Sequence, residues 1–210
     1  NNDGTTIING TATYAGATTV NGGTLRFNNT NNLNAVTISG STTSNGTATL
    51  DLNSQGGMVT ALTFGGVTPA VGSTNILALG TGGTLTLNGN VTVTGLNNPA
   101  GAQISGTGLS QLALGSLVRV FTIANSTATD AELTVTPVIS GIGGINKAGL
   151  GTMVLTNANT YTGATTVNAG ILRITNGGAL GLGGGSTSVI AGASLELMNN
   201  ISVSEALSLS

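Results

Sequence analysis

The sequence predicts an all-β fold of stacked coils, a parallel β-solenoid, on three observations. Charge is nearly absent: four Lys+Arg and six Asp+Glu in 210 residues, where about a quarter of a soluble domain is ordinarily charged. The segment Gly4–Phe27 returns without a gap as Gly151–Ile174. Short apolar–polar–apolar triplets follow glycines again and again, with no helix-period pattern between them. Disorder is not the explanation, because mean hydropathy is +0.35 and the formal net charge is only −2, the reverse of a disordered composition. Leu, Ile, Val and Ala alternate with Thr, Asn and Ser, which places aliphatic groups inside and hydroxyls and amides outside.

The elements follow in chain order. The first repeat copy contains Thr13-Tyr14-Ala15-Gly16-Ala17-Thr18-Thr19-Val20-Asn21-Gly22-Gly23-Thr24-Leu25-Arg26-Phe27, and 11 of these 15 positions are identical in Thr160–Ile174. Strands are expected at Leu25-Arg26-Phe27, Leu50-Asp51-Leu52, Leu85-Thr86-Leu87, Val91-Thr92-Val93, Val154-Leu155, Leu172-Arg173-Ile174 and Leu195-Glu196-Leu197. Alternation over three or four residues marks a half-buried strand, and the intervening Gly, Asn and Ser supply turns. The steps from Leu25 to Leu50, Met153 to Leu172 and Leu172 to Leu195 each read as one coil. Coils of roughly 19–25 residues make about ten coils of a single segment spanning 1–210, a rod on the order of 50 Å at about 4.8 Å per coil. The offset between the repeat copies then corresponds to about seven coils.

Charge placement supports the stacking. Arg26 lies between two inward residues and Asp51 takes the matching outward place one coil later; Arg173 and Glu196 repeat the arrangement. Two cross-strand pairs are predicted, each worth about 0.2–1 kcal/mol.

The run Val138–Leu172 closely resembles the autotransporter-associated β-strand repeat: Lys147-Ala148-Gly149-Leu150-Gly151-Thr152, a short strand, then Asn159-Thr160-Tyr161-Thr162-Gly163-Ala164-Thr165-Thr166-Val167-Asn168-Ala169-Gly170-Ile171-Leu172. Motif copies stand at 4–27 and 145–174, the first without the Lys segment; Arg119–Ser140 and Gly192–Asn199 resemble its usual flanks. The resemblance implies a right-handed parallel β-helix, exported and displayed on the surface of a Gram-negative-type bacterium as a structural stalk, fibre or passenger. It brings no catalytic, cofactor-binding or metal-ligating residues. The first copy begins inside the motif and Ile201–Ser210 ends on alternation, so a longer protein is expected around the chain. Expected partners are further copies of itself, end to end or laterally, and, for an adhesin module, glycans or host surfaces.

Ser54–Ser116 departs from the motif, with Phe64-Gly65-Gly66-Val67-Thr68-Pro69, Asn97-Asn98-Pro99 and Gly106-Thr107-Gly108 suggesting loops or coil edges. Irregular turns in one rod are the simpler reading; an insertion that binds something is the other.

Several chemistries are excluded by composition. Without His, a Ser–His relay is impossible, and without His or Cys the usual zinc sites are gone. Four scattered basic residues (Arg26, Arg119, Lys147, Arg173) cannot follow a run of phosphates or form a polybasic membrane patch. No apolar run has the length to cross a bilayer. Among Asp3, Asp51, Asp130, Glu132, Glu196 and Glu205, only Asp130 and Glu132 are close enough in sequence to converge, and ordinary surface charge is the expectation for them. Gly183-Gly184-Gly185 lacks the Asp of calcium-binding solenoid repeats, and Gly141-x-Gly143 and Gly181-x-Gly183 read as turns. Asn9, Asn28, Asn45, Asn90, Asn125 and Asn200 head Asn-x-Ser/Thr triplets that composition alone explains. Thr-x-Thr triplets at 11/13, 47/49, 84/86, 92/94, 127/129 and 134/136 are too irregularly spaced for the one-per-coil ladder of a flat crystal-binding face. Tyr14 and Tyr161, the repeated aromatics, are expected to pack rather than to form a sugar platform.

Overall fold

A computed structural model describes residues 4–12, 14–40, 46–66, 74–96, 98–126 and 129–210. Expectations touching Asp3, Thr13, Asn45, residues 67–69, Asn97 and Thr127 lie outside the described residues. The N-terminal third runs β1 (Thr5–Ile8), β2 (Thr18–Val20), β3 (Gly23–Phe27), β4 (Asn31–Ile38), β5 (Ala48–Asp51) and β6 (Gly57–Phe64). The centre runs β7 (Asn75–Thr81), β8 (Thr84–Leu87), β9 (Val91–Val93), β10 (Ala102–Thr107), β11 (Gln111–Ala113), β12 (Arg119–Ile123), β13 (Leu133–Val135) and β14 (Val138–Ser140). The C-terminal part runs β15 (Ile145–Ala148), β16 (Thr152–Leu155), β17 (Thr165–Val167), β18 (Ile171–Ile174), β19 (Thr187–Val189), β20 (Ser194–Leu197) and β21 (Leu207–Leu209). Every predicted triplet falls on a strand, apart from Leu52, which lies just past β5 and is buried.

All strand pairs are parallel, and the crossovers arrange them as a solenoid. The first face stacks nine strands in the order β1-β3-β5-β7-β10-β13-β16-β18-β20. The second sheet bends at β6. Gly57–Val59 of that strand pair with β8, whereas Leu62–Phe64 pair with β9. The bend splits the sheet into a second face, continued by β8, β11 and β14, and a third face, continued by β9, β12, β15, β17, β19 and β21.

The register corrects the coil arithmetic. Six steps, not seven, carry Thr24 to Arg173 through Thr49, Ile76, Gln103, Thr134 and Val154. The reason is that the central coils are the long ones: the step from Gln103 to Thr134 takes more chain than the step from Leu172 to Leu195. The stack brings Thr24 in line with Arg173, whereas the repeat alignment sets it against Ile171, so the motif copies sit one pleat apart along the strand direction. An even slip keeps inward residues inward, whereas an odd one would invert every side chain. Ser54–Ser116, read as a departure from the motif, contributes β6 to β11 to the same sheets, and Gly106-Thr107 belong to β10 rather than to a loop.

Parity builds the core. Leu50, Leu77, Ile104, Val135, Leu155 and Ile174 form one inward column through the first face. On the third face Ile38, Phe64, Val93 and Ile123 form another. Each such side chain removes apolar surface worth about 1.5–3 kcal/mol from water, so stacked columns, mostly aliphatic with a few aromatics such as Phe64, make the core.

Candidate functional site

The repeat motif is an internal bracing device. Tyr161 is fully buried and its hydroxyl lies 2.7 Å from Thr165 Oγ1; the first copy holds the same pair, Tyr14 to Thr18, at 2.7 Å. Burial pushes the Tyr161 phenol up, partly offset by the Thr165 hydrogen bond. Tyr14, in the first described coil, is 44% exposed. Packing, expected for both tyrosines, is what Tyr161 does. Asn159 is buried where the second face gives way to irregular chain beyond β14. Its Oδ1 accepts from Ile139 N at 2.8 Å and its Nδ2 donates to Ala179 O at 2.6 Å. Its side chain thus adds to the backbone bonds from Asn159 N to Gly178 O at 2.9 Å and from Thr160 N to Ile139 O at 2.8 Å, linking three successive coils. Gly23 and Gly170, equivalent in the two copies, have φ of +66° and +65°. A Cβ on Gly170 would stand 2.5 Å from Gly149 O.

Lys147 is the feature that sequence reasoning missed. It stands in an interior column between Phe121 and Val167 and is fully buried. Its Nζ donates to Ala148 O, Gly149 O and Ala169 O at 3.0, 2.8 and 3.0 Å, using all three ammonium donors. Burial lowers its pKa to about 8, opposed by the charge of Glu132. Glu132 is also buried, which corrects its reading as surface charge: its carboxylate accepts from Ser126 N at 3.0 Å and Thr152 N at 2.6 Å. The alternation Ile145-Asn146-Lys147 already pointed Lys147 inward; the residues around Glu132 carry no comparable signal.

Both predicted ion pairs are present. Arg26 Nε meets Asp51 Oδ2 at 2.8 Å and Arg173 Nε meets Glu196 Oε2 at 2.6 Å, each in direct register. Arg173 also holds Asp130 Oδ2 at 2.8 Å across two coils, and this contact keeps the Asp130 carboxyl below its ordinary value. Asp130 therefore faces Arg173 while Glu132 faces backbone amides, and the two carboxylates do not act as a pair. Arg119 is buried, its Nε donating to Leu114 O at 2.8 Å. Glu205 Oε1 accepts from the Thr187 hydroxyl at 3.0 Å, while burial pushes its carboxyl up. Among the described residues no group of three or more His, Cys, Asp or Glu could hold a metal ion, and no helix is long and apolar enough to cross a membrane.

The third face carries a regular polar array after all. Thr19, Thr37, Thr63, Thr92 and Thr122 are in direct register on five successive strands. Unequal coil lengths hid this ladder in the sequence. Except for 92/94, its members come from outside the Thr-x-Thr triplets. Beside Thr92 and Thr122 lies an open groove of about 670 Å³, lined by Thr94, Leu96, Ala124 and Asn125 among others, and by no charged residue. Of the Asn-x-Ser/Thr asparagines, Asn28 is held in a ladder with Asn9 and Asn53, at 2.7 and 2.9 Å. Asn90 Oδ1 accepts from Val120 N at 3.0 Å.

Comparison with known proteins agrees with this geometry. Residues 1–27 and 145–174 match the family described as passenger-associated-transport-repeat. The chain is 39% identical over 136 residues to a protein described as adhesin BmaC autotransporter, from Brucella suis biovar 1 (strain 1330), an alignment covering 54% of this chain. The chain spans about 4% of that relative's length. No solved structure matches. The chain is a stack of parallel β-coils whose residues 1–27 and 145–174 are similar to the passenger-associated-transport-repeat.

Proposed function

We propose that the chain is an exported, non-enzymatic segment of a bacterial cell-surface passenger protein, a rigid spacer in the service of adhesion. The observation that carries this reading is the uninterrupted parallel stack whose motif copies, six coils apart, match a passenger repeat. The similarity to a protein described as an autotransporter adhesin supports the adhesive setting. Physically, a stack whose successive coils are hydrogen-bonded through two sheets resists bending, and neutral hydroxyls on its exterior avoid nonspecific ionic contacts. The acids support a structural role: Asp51, Asp130 and Glu196 are engaged by arginines and Glu132 by backbone amides.

Antibody raised against this chain, applied to intact cells of the natural producer, tests the reading. Labelling of unbroken cells that is lost on brief treatment with a broad-specificity protease is expected. Labelling only after lysis would refute surface display.

A further inference from the structure

We propose that the groove at Thr92, Thr94, Leu96, Thr122, Ala124 and Asn125, with the threonine ladder that runs into it, is a binding site for a linear, uncharged glycan chain. The proposal rests on the adhesive reading above and adds the site and the ligand class.

Size, charge and surface chemistry converge on that occupant. The groove, about 670 Å³, lies within the range of roughly 300–1,000 Å³ typical of small-ligand sites. Its residues carry no charge, and none of the ladder threonines is ionic, so a phosphate chain or acidic polysaccharide gains nothing here. The outward charges in strands, Arg26, Asp51, Arg173 and Glu196, all sit on the first face. A second copy of the chain is a poor occupant. Five strands at about 4.8 Å give a stripe about 20 Å long and one or two columns wide, far below the roughly 800 Å² per partner of a stable protein interface. A peptide adding as a strand requires a free sheet edge, whereas the groove floor is the face of a sheet whose strands β9 and β12 are paired to each other.

A neutral sugar chain suits what remains. Each threonine offers a methyl for the C–H face of a ring and a hydroxyl that both donates and accepts. Leu96, half-exposed, forms an apolar wall, and Asn125 adds an exposed amide at the rim. Thr94 is the groove's structural member, its hydroxyl donating to Leu96 O at 2.7 Å and so fixing that wall. Thr92 and Thr122 carry no such bond among the described residues, so their hydroxyls remain for a ligand.

Affinity electrophoresis of the full chain through gels containing a linear β-glucan or a mannan, with heparin as the charged control, tests the site. Retardation by a neutral polysaccharide that persists at high salt is expected. Thr92→Val and Thr122→Val together should weaken it roughly tenfold, the equivalent of losing a hydrogen bond or two. Thr122→Trp should abolish it by filling the groove, and Thr134→Val on the first face should leave it unchanged. Circular dichroism and urea midpoints confirm that each variant is folded. No retardation by either neutral polysaccharide, retardation by heparin alone, or binding indifferent to Thr92 and Thr122 would each overturn the proposal. Surface labelling of intact cells is read separately, so loss of glycan binding would leave the passenger reading standing.

Discussion

Lys147 shows how a single ionic residue can occupy a column of apolar side chains. The stem packs between Phe121 and Val167, while three backbone carbonyls take the ammonium protons. Two effects oppose each other: desolvation favours the neutral amine, and hydrogen bonds to carbonyls favour the cation. Lys147→Met keeps the volume and removes the desolvation cost, but it orphans three acceptors. Each unsatisfied buried group costs about 1–3 kcal/mol, so the carbonyls dominate and the urea midpoint should fall. The pH dependence has a defined sign. The folded value of about 8 is below the ordinary 10.5, so between these limits the unfolded chain binds a proton that the folded chain has released. The Lys147 contribution to stability therefore rises with pH across that window. Lys147 is the sole lysine in the sequence, and comparing urea midpoints at pH 7.5 and 9.5 should show a rise in the wild type that Lys147→Met lacks. Equal pH dependence in the two proteins would exclude the buried ammonium.

At the scale of elements, the two arginine–acid pairs report how well parallel neighbours are registered. Both are partly exposed, so solvent screening confines each to about 0.2–1 kcal/mol. Arg173 serves two carboxylates, Glu196 one coil on and Asp130 two coils back, and thus ties β18 to coils on either side. Double-mutant cycles on urea stability should give coupling energies within that range for Arg26–Asp51 and Arg173–Glu196. Arg173→Ala should cost more than Arg26→Ala. Asp130 is held below its ordinary 3.8, so its contribution is present above that pH and fades as pH falls through the lower folded value. Zero coupling in both cycles would mean that solvent screening cancels the pairs and that they add nothing to stability.

For the molecule as a whole, the same economy of charge has a protease consequence. All four basic residues lie in strands: Arg26 in β3, Arg119 in β12, Lys147 in β15 and Arg173 in β18. Arg119 and Lys147 are buried, and Arg173 is clamped by two acids. Cleavage requires an extended, unpaired backbone, which these strands provide only after local unfolding. Native chain should therefore survive trypsin for hours, whereas the urea-unfolded chain should be cut at all four sites. Comparable cleavage rates in the two states, followed by gel and mass spectrometry, would refute a continuous stack through those strands.

Much of this was determined by the sequence alone. Alternation at Leu25-Arg26-Phe27, Leu172-Arg173-Ile174 and their counterparts specifies strands and their buried face, because side-chain parity is a local property. The recurrence of Gly4–Phe27 at Gly151–Ile174 specified stacked repeats, and Arg26–Asp51 and Arg173–Glu196 followed from adjacent coils of plain length. The tertiary structure decided what depends on unequal coil lengths. The six-step interval between motif copies, the threonine ladder from Thr19 to Thr122 and the reach of Arg173 to Asp130 all require knowing which residues face one another. Coils as different as Thr19 to Thr37 and Gln103 to Thr134 stand in the same stack. Burial of Glu132 was likewise out of reach, since its partners Ser126 N and Thr152 N are brought together only when one coil closes on the next. Strand direction and facing are written in each short segment; register between coils is the sum of every loop before it, and only the folded stack performs that sum.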